Sequence, residues 1–294
     1  MAIEKILQNT SLEEFLDRYY LKVPYSEPGS GEAFKGLANW EVLDRILAGR
    51  DPDVMVVREE KRIEVEGVPD GEQAREFFSE GCTILVRSAE KHDRGLARLA
   101  KGFKKDFHAP VNVHLYFTPA DHYGFGWHYD AEEVFLLQVH GSKEYSLRKN
   151  TVNPWPVVET IPRDMKYEQE SSPVMTCHLE AGDWLYLPAG YWHKGVAATD
   201  SITLAVGVMA PSAIKIYDFL KQYLLKSLMW RQRLPVLGER EAAPAGEALL
   251  RFRALFSDLG DELNILLTDE SVMRAFLARG VGAEKSRATE KAIT

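Results

Sequence analysis

Val134-Phe135-Leu136-Leu137-Gln138-Val139, His140-Gly141-Ser142 and Lys143-Glu144-Tyr145-Ser146-Leu147-Arg148 run consecutively, and the fold is decided here. Five of the first six residues are apolar, with no helical period. The next three are turn formers, and the last five alternate. The spacing therefore predicts two short strands, Val134 to Val139 and Glu144 to Arg148. The same texture continues on both sides, predicting strands over Val111 to Phe117, Met175 to Leu179, Trp184 to Leu187 and Ile202 to Val208. Strands this short, regularly spaced and without intervening helices read as a β-sandwich or barrel. Thr151 to Pro173 carries four prolines and little apolar period, and is expected to be a long loop.

Helical signals flank this block. Ser11 with Glu14 forms a capping pattern ahead of a face holding Phe15, Leu16 and Tyr19. Asn39 precedes a second helix, Trp40 to Ala48, which Gly49 is expected to end in the left-handed conformation. Glu72 to Ser79 and Gly95 to Phe103 predict two more helices, with a strand at Cys82 to Val86 between them. Beyond Pro211, Ile216, Tyr217, Leu220, Leu224 and Leu228 predict one helix stopping near Pro235. A linker from Gly238 to Gly246 follows, then helices over Glu247 to Leu259 and Glu270 to Ala278. The charged tail from Gly282 to Thr294 is expected to be disordered.

The composition suits one large soluble domain or a domain with a smaller appendage. The 294 residues are 45% hydrophobic and 27% charged, which excludes collagen-like, coiled-coil and wholly disordered chains. A net charge of −8 argues against coating nucleic acid and suits a cationic partner. Cys82 and Cys177 lie in no metal-type spacing and read as buried thiols. No run of residues is long and apolar enough to span a membrane, and Met1 to Leu7 do not read as a secretory signal. A cytoplasmic location is expected.

Gly126-Trp127-His128-Tyr129-Asp130 places an imidazole and a carboxylate two residues apart, on one side of a strand. Alone this spacing carries little weight, since histidine and aspartate pair so by chance. His193, after the Pro188-Ala189-Gly190 turn, offers a third ligand. Two imidazoles and one carboxylate form the triad used for non-heme Fe(II), with positions left open for a chelating cosubstrate and O2. Zinc hydrolysis is the competing chemistry, but its helical H-E-x-x-H arrangement is absent and iron is preferred. No G-x-S-x-G elbow, phosphate-cradling loop or cysteine–histidine signature occurs. His92, His108, His122, His140 and His178 lack partners at ligand spacing, while Trp127, Tyr129, Tyr191 and Trp192 are expected to wall the site.

Tyr116-Phe117-Thr118-Pro119-Ala120, His128-Tyr129-Asp130, the run Val134 to Leu147, and Leu179-Glu180-Ala181-Gly182-Asp183-Trp184-Leu185-Tyr186-Leu187-Pro188 together resemble the JmjC-type cupin oxygenases of the ribosomal-oxygenase group. The resemblance covers about Leu12 to Pro211. It implies a mainly β fold with flanking helices: a double-stranded β-helix (jelly-roll) core, N-terminal helices and a C-terminal helical segment. Its domains would be a catalytic domain over 1–210, a helical and dimerising segment over 211–281, and the tail 282–294. It also implies Fe(II), 2-oxoglutarate and O2, and hydroxylation of a protein side chain.

By the same resemblance His128, Asp130 and His193 are the iron ligands, and Lys143 pairs with the far carboxylate of 2-oxoglutarate. A lysine in an apolar barrel is costly to bury without an anion, which agrees with that role. Tyr116 would donate to the same carboxylate, and Thr203, sharing strand parity with Ala205, would line the pocket. His114 stands where relatives often carry asparagine and would touch cosubstrate or substrate. Tyr145 stands where they usually carry tryptophan and belongs in the core. The implied partners are a basic ribosomal protein with a His or Arg target and a second copy of the chain, with neither nucleic acid nor membrane. Relatives add a winged-helix-like module after the dimerising helices, and fewer than ninety residues follow Pro211 here. A small-metabolite or biosynthetic-peptide oxygenase and a non-catalytic metal-binding cupin are the alternatives.

Overall fold

Residues 134–139 form no alternating pattern because both of their faces are covered. Phe135, Leu137 and Val139 pack into the core shared with the N-terminal helices, while Val134 and Leu136 pack on the other side with Tyr145, Leu147, Leu179 and Leu185. The computed structural model describes residues 2–234 and 246–279. The chain divides into two compact units, Met1–Ala210 and Pro211–Thr294.

The first unit holds the strands β1 (Tyr25–Ser26), β2 (Asp53–Arg58), β3 (Lys61–Ile63), β4 (Thr83–Arg87), β5 (Val111–Thr118), β6 (Glu133–His140), β7 (Lys143–Arg148), β8 (Val174–Leu179), β9 (Trp184–Leu187), β10 (Trp192–Ala197) and β11 (Ser201–Val208). They make an eight-stranded sheet, ordered β1-β9-β6-β11-β5-β4-β2-β3, and a three-stranded sheet, β10-β7-β8. Successive strands cross between the sheets: β6 to β7, β8 to β9 and β10 to β11. This is the jelly-roll core that was expected, a double-stranded β-helix in which each hairpin forms a corner. At the β6–β7 corner Gly141 has φ +63°, and a Cβ there would overlap the Asp200 carbonyl. Only glycine fits.

Four helices precede or interrupt the sheet: α1 (Leu12–Arg18), α2 (Trp40–Leu47), α3 (Gly71–Ser79) and α4 (Arg94–Phe107). Ser11 accepts from the Glu14 amide at 3.0 Å and Asn39 from the Val42 amide at 2.9 Å, so both read caps form. Phe15, Leu43, Ile46 and Phe103 face the large sheet and join Phe117, Phe135 and Trp184 in one core. Leu16 is exposed, unlike its reading with Phe15. Gly49 does not take the left-handed conformation; the helix ends at Leu47 with Ala48 as a right-handed cap, and the first left-handed residue after it is Asp51, φ +52°.

In the second unit the single helix expected from Ile216 to near Pro235 is two pieces, α5 (Ile214–Leu224) and α6 (Leu228–Arg231), because the Ser227 side chain caps a new start by accepting from the Trp230 amide. Leu220 and Leu224 are buried, but Leu228 is exposed. Two longer helices follow, α7 (Glu247–Thr268) and α8 (Glu270–Arg279), the first extending well past the expected Leu259. Phe219, Leu220 and Val272 form the core of this unit. The helix stop at Pro235, the linker from Gly238 onward except Gly246, and the tail 282–294 lie outside the described residues. Among the described residues no helix is long and apolar enough to cross a membrane.

Candidate metal centre and cavity

The segment Gly126–Asp130 is extended but is not a strand. It joins the barrel through a single bridge between His128 and His193, whose amides donate to each other's carbonyls at 3.2 and 2.8 Å. The expected strand geometry for His128 and Asp130 is thus corrected. One bridge, together with the Gly190 amide donating to the Asp130 carbonyl at 2.8 Å, fixes the segment instead. His193 lies on β10, a strand that the turn-based reading did not include.

This pairing brings His128, Asp130 and His193 together, with one ligand atom from each lying within 4.8 Å of the others. His128 Nδ1 donates to the Gly126 carbonyl at 2.8 Å, and His193 Nδ1 to the Tyr191 carbonyl at 3.0 Å. A carbonyl can only accept, so each Nε2 is left with its lone pair free for a metal. Burial first, then the adjacent His128 imidazole, pushes the His193 pKa down to about 4, which keeps this imidazole neutral near pH 7. Two imidazole nitrogens and a carboxylate oxygen fit a divalent transition metal.

The triad opens into a cavity of about 460 Å³, lined also by His114, Tyr116, Lys143, Tyr145 and Ala205. Lys143, at the start of β7, is only 6% exposed. Its Nζ donates to Thr118 Oγ1 at 3.4 Å and sits 5.7 Å from the ring centres of both Tyr116 and Tyr145. Among the described residues no carboxylate pairs with it, and burial lowers its pKa to about 8. Burial raises the Tyr116 pKa, so its phenol remains a donor. Room for the lysine comes from Gly195: a Cβ there would stand 2.6 Å from Tyr145 Cε1 and 3.1 Å from Lys143 Cε.

His114 lines the cavity as a neutral ring, since its Nδ1 accepts from the Ser88 amide at 3.1 Å and burial lowers its pKa. Thr203 is a correction. It shares the inward face with Ala205, but only Ala205 lines the cavity. Thr203 is buried, and its hydroxyl donates to Gln138 Oε1 at 3.0 Å. Of the four expected wall aromatics none lines the cavity. Trp127 stacks on Tyr167 at 4.3 Å, and Tyr129 meets Trp192 edge-on at 4.7 Å. Lining residues not singled out in the sequence include Met55, Arg87, Glu132, Val158 and Ile161. Arg87 is paired with Asp53 at 2.8 Å. Met55 and Arg87 reach the cavity through strands far away in sequence, which no local pattern reveals.

A jelly-roll with two histidines and one carboxylate at a cavity, and a buried lysine in its wall, is the arrangement of a metal-dependent cupin. Residues 87–216 match the family model of the JmjC domain. It is similar to the bifunctional lysine-specific demethylase and histidyl-hydroxylase NO66 of Dictyostelium discoideum, 28% identical over 216 residues, which cover 69% of this chain and 41% of that protein. The NO66 protein of Drosophila yakuba is 30% identical over 180 residues, 57% of this chain and 26% of the relative. The chain therefore spans less than half the length of these relatives. Among solved structures, YcfD, a ribosomal oxygenase from Escherichia coli in complex with cobalt and 2-oxoglutarate, superposes with a TM-score of 0.61 at 17% identity, over 93% of this chain and 71% of that one. That likeness establishes the fold.

Proposed function

We propose that the protein is an Fe(II)- and 2-oxoglutarate-dependent oxygenase that hydroxylates an amino-acid side chain of a protein. The observation that carries this reading is Lys143: a buried ammonium without a carboxylate partner, in the cavity that holds the triad. His128, Asp130 and His193 would hold the iron. Bound there with 2-oxoglutarate and O2, Fe(II) supplies oxidative decarboxylation to succinate and CO2, coupled to insertion of the second oxygen atom into a C–H bond.

The chain's own residues bind, orient and exclude water. Lys143 pairs with the distal carboxylate of the cosubstrate, and Tyr116 donates to it. His114, in the same lining as Leu136, Val134 and Ala205, would give a further polar contact for cosubstrate or target. The apolar walls keep bulk water from competing for these contacts.

The target in this reading is a His or Arg side chain of a basic ribosomal protein, which suits the net charge of −8. The relatives' printed activities and the cobalt and 2-oxoglutarate complex of YcfD support it. Two free thiols suit a cytoplasmic setting. Exposed Ile214, Tyr217 and Leu225 on and after α5 suit a homodimer built on the 211–281 segment. The test is succinate formation from 2-oxoglutarate with purified basic ribosomal proteins, together with intact mass. A one-oxygen gain on a His or Arg is expected. Turnover on a small metabolite or biosynthetic peptide alone would replace the target, and metal binding with no turnover on any of these would leave a non-catalytic cupin.

A further inference from the structure

The cavity carries opposite charges at its two ends. On the inner face of the large sheet, β11 pairs Thr203 with Tyr116 and Gln138, Ala205 with His114 and Leu136, and Gly207 with Asn112 and Val134. From Thr203 to Gly207 this face runs roughly 13 Å, at about 3.3 Å per residue. It begins beside Tyr116, where Lys143 lies, and ends at Glu132. Gly207 has no side chain, and the space a Cβ would fill is taken by Glu132 Oε2 and Asn112 Oδ1. Asn112 Nδ2 donates to Glu132 Oε1 at 2.9 Å, which fixes the carboxylate over the glycine. Among the described residues no donor reaches Glu132 Oε2, and this side chain lines the cavity.

Three other polar groups of the lining already have a partner or a role. Arg87 is paired with Asp53, His114 is neutral and bonded to Ser88, and Asp130 belongs to the triad. Asn112 Oδ1 is buried without a donor, and what the pair presents in the cavity lining is the Glu132 carboxylate, an acceptor. A half-buried carboxylate with one oxygen unpaired is costly to keep, and a multi-donor cation is the partner that recovers the cost.

We infer that Glu132, oriented by Asn112 over Gly207, is the specificity-determining residue: it receives the guanidinium or ammonium end of a cationic target side chain whose reacting carbon lies at the triad. This inference rests on the oxygenase reading above. Lys143 anchors the cosubstrate at one end, and Glu132 selects the target at the other. A neutral side chain of the same shape fits the space but leaves the carboxylate unpaired.

The probes are acetyl-Gly-Arg-Gly-amide and its citrulline counterpart, which differ in charge at nearly constant shape. Their binding is followed through relaxation of their methylene protons by the full-length protein loaded with Mn(II) and 2-oxoglutarate. The arginine peptide should bind at least about tenfold more tightly. Glu132→Gln should abolish the difference. Gly207→Ala, which displaces the carboxylate while keeping its charge, should weaken it. Calorimetric affinity for 2-oxoglutarate should stay unchanged in both variants. Equal binding of the two peptides, no binding of either, or a preference that survives Glu132→Gln overturns the assignment. Failure of the wild-type protein to bind 2-oxoglutarate is a separate result and contradicts the oxygenase reading instead.

Discussion

Lys143 is the residue on which the chemistry most depends. Its ammonium is desolvated, and among the described residues its hydrogen-bond partner is the Thr118 hydroxyl. In Lys143→Ala the distal carboxylate of 2-oxoglutarate would be buried unpaired, a loss of about 2–5 kcal/mol in cosubstrate affinity, with metal affinity unchanged. Calorimetry at saturating metal reads the first and metal content the second. Lys143→Arg should recover only part, since a planar fork needs room that Tyr145 and Gly195 do not leave. The same lysine sets a pH dependence. In the ligand-free protein it releases its proton near pH 8, against 10.5 in the unfolded chain. Between these values the unfolded chain holds more protons, so the lysine's burial penalty is present below about pH 8 and is relieved as pH rises toward 10.5. Binding the dicarboxylate favours the charged form. Apparent 2-oxoglutarate affinity should therefore be flat below about pH 8 and fall above it. Lys143→Ala should flatten that fall. His128→Ala and Asp130→Ala should stay folded, with near wild-type circular dichroism, yet lose stoichiometric metal, because neither side chain fills the main core.

At the scale of elements, two short connections hold the site. Glu133 is buried and accepts from the Tyr186 hydroxyl and from the Ala189 amide at 3.1 Å, tying β6 and β9 to the turn that leads into β10 and His193. Glu133→Ala strands both donors and should cost about 2–4 kcal/mol in urea unfolding, with a weaker metal site as the second readout. The β2–β3 hairpin closes over Glu59 and Glu60, φ +45° and +72°, between the pairs Arg58–Lys61 and Val57–Arg62. Both central residues sit in the left-handed region that favours Asn-Gly. Glu59→Asn should stabilise the protein by about 1 kcal/mol, read as a raised unfolding midpoint. These elements also show where the sequence was legible. The strands β5, β6 and β9 read correctly because apolar runs bounded by turn formers leave little choice. β10 was missed because Gly195 and the charged Lys194 break its pattern, and the reason for that glycine, the Lys143–Tyr145 contact, is visible only in three dimensions. β2 was missed because its partner β4 lies a helix away, and β3 because its three residues are a strand only by pairing with β2. The triad was readable from types and spacing only once ordered motifs set its register. Glu132 was not, since its role depends on Gly207, seventy-five positions on.

At the scale of the whole molecule, the first unit walls a charged, asymmetric cavity, so ligand binding should appear as added stability. At a 2-oxoglutarate concentration of about one hundred times its dissociation constant, with metal bound, stabilisation of about 2.7 kcal/mol is expected as a shift in thermal unfolding. The shift should vanish in Lys143→Ala at the same concentration. The proposed homodimer on the 211–281 segment is checked by sedimentation: the wild type should run as a dimer, and Tyr217→Asp with Leu225→Asp should give monomers that still bind 2-oxoglutarate.

The central claim is that one cavity holds iron on His128, Asp130 and His193 and 2-oxoglutarate on Lys143 at the same time. Anaerobic titration of the full-length protein with Fe(II) and then 2-oxoglutarate tests it most directly. A weak visible charge-transfer band, saturating at one equivalent of cosubstrate, is expected in the wild type. It should be absent in His128→Ala and shifted to much higher cosubstrate concentration in Lys143→Ala. A wild-type protein that takes up iron but gives no band at any 2-oxoglutarate concentration, or a Lys143→Ala variant titrating like the wild type, would contradict the account.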